Sequence, residues 1–80
     1  MNDEEIVQEI SRLAEEERRL EEAHVGEELT TTDSEKLRTI EVALDQCWDL
    51  LRQRRARRDA GGDPDEVAVR PPQVVEGYQQ

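Results

Sequence analysis

Apolar residues first recur at Ile6, Ile10, Leu13 and Leu20, in steps of four, three and seven. That spacing lays them on one face of a helix. Asn2 is a suitable N-cap, and Glu5 three residues later completes a capping box. Asp3, Glu4 and Glu5 suit the positive end of the helix dipole. Gly26 is the expected stop, because glycine accepts the left-handed conformation that ends helices. The pattern therefore predicts a first helix over about residues 3–25 and a loop over 26–32. Thr32 with Glu35 makes a second capping box, with Thr30 as the competing cap. A second helix over about 33–59 carries Leu37, Ile40, Leu44, Cys47 and Leu51, stepping three, four, three and four. That is a heptad seam. It should stop before Gly61, Gly62 and Pro64.

The two seams dock as an antiparallel hairpin when opposing residue numbers sum to 57. Ile6 then meets Leu51, Ile10 meets Cys47, Leu13 meets Leu44, Glu17 meets Ile40, and Leu20 meets Leu37. Asp3 falls level with Arg54, an opposite-charge layer at the open end. A slip of one heptad in either direction strands two apolar residues, so the register is specified. Val7, Ala14 and Trp48 fall on one flank of the seam, and Ala43 and Leu50 on the other. A bare hairpin covers neither flank. These five residues are candidates for a dimer or partner interface. The expected fold is all-α: a coiled-coil-like two-helix hairpin, dimerising into a four-helix bundle, with an extended C-terminal tail.

That tail, residues 60–80, contains Gly61, Gly62, Pro64, Pro71 and Pro72. Arg70 precedes a proline, which favours extended backbone. Val67, Val69, Val74, Val75 and Tyr78 are more apolar residues than a purely solvated linker needs. Packing along the bundle, docking on a partner and disorder all remain open from the residues alone.

Composition narrows the function classes. The chain has 80 residues, 34% hydrophobic and 40% charged, with a net charge of −10 and one cysteine. No stretch approaches the roughly 20 apolar residues of a membrane span. One cysteine makes no internal disulfide framework. A deep enzyme pocket does not fit a chain this short. Acids stand where a secretory signal would place positive charge, and a lone thiol suits a reducing compartment, so a cytoplasmic location is expected. Below about 70–80 residues a single core is small, which again favours self-association.

Residues 52–58 hold five arginines and no acid. Arg52, Arg55, Arg57 and Arg58 are candidate anion-binding residues, able to contact nucleic-acid phosphates or an acidic protein surface. The competing reading is a helix end neutralised by acids of the first helix. Trp48 is the one tryptophan, a candidate anchor at an interface with itself or a partner. Cys47 sits in the seam, where burial disfavours a reactive thiolate. Helix rise puts His24 about 20 Å from Cys47, which excludes a Cys–His pair within one hairpin. Glu17 and His24 are polar seam residues seven apart, whereas di-metal bundles use a Glu-x-x-His step of three. No catalytic residue, metal or cofactor is expected.

The run Leu44-Asp45-Gln46-Cys47-Trp48-Asp49-Leu50-Leu51-Arg52-Gln53-Arg54-Arg55-Ala56-Arg57 resembles the middle of a family of short actinobacterial proteins. So do Asp63-Pro64-Asp65-Glu66, Val69-Arg70-Pro71 and Val75-Glu76-Gly77-Tyr78. That family is the domain of unknown function 2630. The resemblance implies a small standalone cytoplasmic protein whose tail belongs to the pattern, and it brings no activity or site residues. The expectation is a non-enzymatic, self-associating adaptor or regulatory module with an unknown protein partner. The alternative is an RNA- or ribosome-associated factor using the arginine cluster.

Overall fold

The computed structural model describes residues 1–77. Tyr78, counted above among the apolar tail residues, lies outside the described residues, as do Gln79 and Gln80. The elements are α1 (Asp3–Glu22), α2 (Thr31–Asp59), a 3₁₀ turn (Pro64–Glu66) and α3 (Pro72–Gly77). All regular structure among the described residues is helical. α1 and α2 form the hairpin, and residues 60–77 fold back along α2 as a strap.

α1 starts as its sequence requires. Asn2 Oδ1 accepts from the Glu5 amide at 2.8 Å, and Glu5 Oε1 accepts from the Asn2 amide at 2.9 Å. It ends at Glu22, three residues before the expected 25. From there tighter turns take over: the His24 amide donates to the Glu21 carbonyl at 3.1 Å, and Glu27 to His24 at 3.0 Å. Gly26, at φ +81°, closes this turn rather than the helix itself. α2 begins at Thr31 rather than 33, because Thr30 is the cap: its Oγ1 accepts from the Asp33 amide at 3.1 Å. Thr32 lies inside the first turn instead. At the other end Gly61 takes φ +82°. The Gly62 amide donates to the Arg57 carbonyl at 2.8 Å and the Gly61 amide to Arg58 at 3.0 Å. This pair of bonds is a Schellman motif, and it turns the chain back onto α2.

The hairpin takes the register read from the seam. Arg54 Nε donates to Asp3 Oδ1 at 2.6 Å, the expected outermost layer. Ile6, Ile10, Leu50 and Leu51 form one buried cluster, with Leu44, Cys47 and Val67 packed against it.

Two expectations are corrected by the strap. The tail is not simply extended. Pro64 and Pro72 each open a helical turn, where proline lacks only an amide that would have no partner anyway. Asp63 caps the first of these turns by accepting from the Asp65 amide at 2.9 Å. Val75 on α3 is only 2% exposed. Second, Leu50 does not lie on an open flank. Val67 packs against its cluster, and Leu50 is 5% exposed, a core residue of the single chain.

Candidate functional site

The strap is held to α2 by charge as well as by valines. Arg70 grips Asp49 through two parallel bonds: Nε donates to Oδ2 at 2.9 Å, and a second guanidinium nitrogen pairs with Oδ1. Asp49 is almost fully buried. The Arg70 bond holds its carboxyl below the usual carboxylate range, against the opposing pull of burial. Gln46 Nε2 donates to the Arg70 carbonyl at 3.1 Å. Nearer the turn, Arg54 is 5% exposed and binds three acceptors. Besides Asp3 it reaches the Pro64 carbonyl at 3.1 Å and Asp65 Oδ1 at 3.0 Å. Hydrogen bonds from Arg54 and then Arg58 hold the Asp3 carboxyl low.

Sequence reasoning missed the Asp49–Arg70 pair. A signal was present: Arg70 is the one base in residues 59–80, set between valine-rich segments. Such a base in an acidic tail points to an acid elsewhere, but nothing in helical periodicity picks out Asp49.

The strap also divides the arginine cluster. Arg57 pairs with Glu66 at 2.6 Å and Arg58 with Asp3 at 2.8 Å. Most of the neutralising acids therefore come from the strap, with only Asp3 from α1. Arg52 and Arg55 are exposed and make no ion pair among the described residues. The four candidate anion-binding residues thus do not form one patch.

Of the candidate interface residues, Val7 is 50% exposed and Trp48 49%. Ala14 is exposed and Ala43 half-buried. Helical position places Val7, Ala14 and Trp48 on the flank that the strap leaves bare. The strap instead meets Arg38, Gln46, Asp49, Leu50, Arg54 and Arg57.

The remaining polar candidates are occupied structurally. Burial pushes the Cys47 thiol up, so little of it is thiolate at neutral pH. His24 faces away from it: Nδ1 lies 2.9 Å from the Leu20 carbonyl oxygen, and Nε2 lies 2.8 Å from Asp33 Oδ2. Both neighbours are acceptors, so the site favours protonation of the ring, and the His24 pKa is raised by the Leu20 carbonyl first and Asp33 next. Burial also raises the Glu17 carboxyl, helped by Glu21 and Glu41. An open groove of about 700 Å³ runs between the loop halves of α1 and α2, over Leu20, Ala23 and Ile40. Among the described residues no His, Cys, Asp and Glu group could hold a metal. No described helix is long and apolar enough to cross a membrane.

The chain belongs to the family described as Protein of unknown function (DUF2630), whose model matches residues 2–80. Uncharacterized proteins of Mycobacterium bovis and Mycobacterium tuberculosis are 65% identical to it over 46 residues, which is 58% of this chain and 53% of theirs. The chain thus spans about half the length of these relatives. No solved structure matches it.

Proposed function

We propose that this protein is a non-enzymatic interaction module that self-associates through the hairpin flank carrying Trp48. The observation that carries this reading is asymmetry of cover. The strap buries Leu50 on one flank, while Trp48 and Val7 stay half exposed on the other. Half-exposed tryptophan beside apolar residues is characteristic of interface cores. A flank ~30 Å long and two helices wide offers roughly 600 Å² per copy. That is somewhat less than the roughly 800 Å² per partner of a standard stable interface.

The RNA reading is less well supported. Arg54, Arg57 and Arg58 already hold acids, and the chain carries a net charge of −10. Two remaining arginines make a weak footprint against that repulsion.

Light scattering after size exclusion, from micromolar to hundreds of micromolar, tests the proposal. The mass should climb from one chain toward two, and Trp48→Ala should hold it at one while the monomer keeps its helix content. A single-chain mass at every concentration would overturn the reading.

A further inference from the structure

The bare flank carries an ordered pattern of charge. Glu41, Asp45, Trp48, Arg52 and Arg55 recur at steps of four, three, four and three, one stripe along α2. Both acids precede Trp48 and both arginines follow it. Glu41, Arg52 and Arg55 are exposed and Asp45 is half-buried. None of the four makes an ion pair among the described residues.

The polar face of α1 is built the opposite way. Arg12 bridges Glu9 at 2.5 Å and Glu16 at 2.7 Å, and Arg18 bridges Glu15 at 2.5 Å and Glu22 at 2.6 Å. There each base has acids three and four residues away, so the face satisfies itself. On the α2 stripe Glu41 and Asp45 are four apart, and Arg52 and Arg55 three apart. Like charges at these spacings repel within the helix. Acids toward the start of α2 and bases toward its end suit the helix dipole, and Asp49 lies three residues before Arg52, but neither relieves the like-charge neighbours within the stripe. A surface sorted in the reverse order would relieve it.

We propose that this reverse-ordered surface is the same stripe on a second copy, docked antiparallel on a two-fold axis through Trp48. The inference rests on the self-association reading above and fixes its geometry. About that axis Arg55 lies level with Glu41 of the second copy. Arg52 comes within one residue of level with Asp45. The two-fold repeats both contacts, as isologous symmetry demands. The two indoles meet at the centre, where offset stacking is favourable. Val7 and Ala14 of α1 border the same flank and extend the apolar area. A parallel arrangement would set Glu41 against Glu41 and Arg55 against Arg55, so charge selects the antiparallel sense. The strap lies along Gln46, Asp49 and Leu50, and α3 comes nearest the stripe where Glu76 stands 3.9 Å from Arg38.

The test is charge reversal read by light scattering, with helix content checked by circular dichroism. Arg55→Glu and Glu41→Arg, each alone, put like charges together at two symmetric places. Each should weaken association roughly ten-fold, while the double variant should return close to wild type. The double variant should also fail to pair with the wild-type chain in mixtures. If Trp48→Ala breaks the dimer but the single reversals do not, or the double variant does not recover, the antiparallel geometry is overturned and the self-association reading stands. If the chain is monomeric throughout, both fail. Retention of a short single-stranded RNA by that monomer, lost in Arg52→Gln with Arg55→Gln, would assign the stripe to nucleic acid instead.

Discussion

One seam runs the length of the hairpin, yet its two halves are buried very differently. Near the termini Ile6 is 0% exposed, Ile10 9% and Leu51 8%. Toward the loop Leu20, Leu37 and Ile40 occupy equivalent heptad positions but are only half-buried. The open groove lies beside them. Periodicity and register are the same in both halves, so neither explains the difference. The strap does. Val67 packs over the first half, whereas α3 packs on α2 and makes no contact with α1. Two packed helices bury a central seam residue such as Leu13, 6% exposed and outside the cluster under Val67, and the third element extends that burial to the terminal end.

The largest effect on this contrast should come from the Asp49–Arg70 pair. Arg70→Ala leaves a carboxylate buried without its partner, which costs about 3–5 kcal/mol. A chain this short holds roughly 4–12 kcal/mol in total. The variant should therefore melt well below the wild type and unfold at a lower urea concentration. Asp49→Leu with Arg70→Met should recover most of the loss, because removing both charges leaves none unpaired. A loss below about 1 kcal/mol for Arg70→Ala would mean that the valines alone hold the strap. Next in size is the direct comparison of halves. Ile6→Ala should cost about 2–5 kcal/mol, and Ile40→Ala only about 1 kcal/mol, because the second site already borders solvent. Equal costs in urea titrations would show that the groove closes in solution. Amide exchange should follow the same order, faster in the α2 turns around Leu37 and Ile40 than around Leu51.

Much of the terminal half was legible in the sequence, and the reasons are local or periodic. The Asn2–Glu5 box, the heptad steps and the Asp3–Arg54 layer each follow from spacing within or between helices. Burial of Leu50 was not legible, because it depends on where Val67 lands after the Schellman turn. Nor was the Asp49–Arg70 pair, which joins residues 21 apart through a segment with no helical period. The proline-rich tail also reads as extended when prolines are taken as breakers. Pro64 and Pro72 instead sit at helix starts, the first capped by Asp63 and the second following Pro71. The stripe on α2 was only half legible. Trp48 and the arginines stood out, but which arginines pair depends on where the strap lands: Asp65 takes Arg54 and Glu66 takes Arg57, leaving Arg52 and Arg55 to the stripe.

The two halves should also respond to pH with opposite sign, and this is the smallest effect. The strap depends on carboxylates whose pKa values are held down, Asp49 by Arg70 and Asp3 by Arg54 and Arg58. Their contribution is present above the ordinary carboxylate pKa of about 3.9 and is lost as pH falls through the depressed native values. The loop is stapled by His24, whose pKa is raised by its two acceptors. Its contribution is complete below the ordinary histidine value of about 6.5 and is lost as pH rises through the higher native value. His24 is the one histidine in the chain, so it is the one side chain whose ordinary pKa lies in this range. The thermal midpoint should therefore decline between pH 6 and 8 in the wild type and stay flatter in His24→Gln. Arg70→Ala should lower the whole curve without changing that slope, since it acts on the other half. A slope that survives His24→Gln would remove the staple from the loop, leaving the Thr30 cap and the Gly26 turn as its main local constraints.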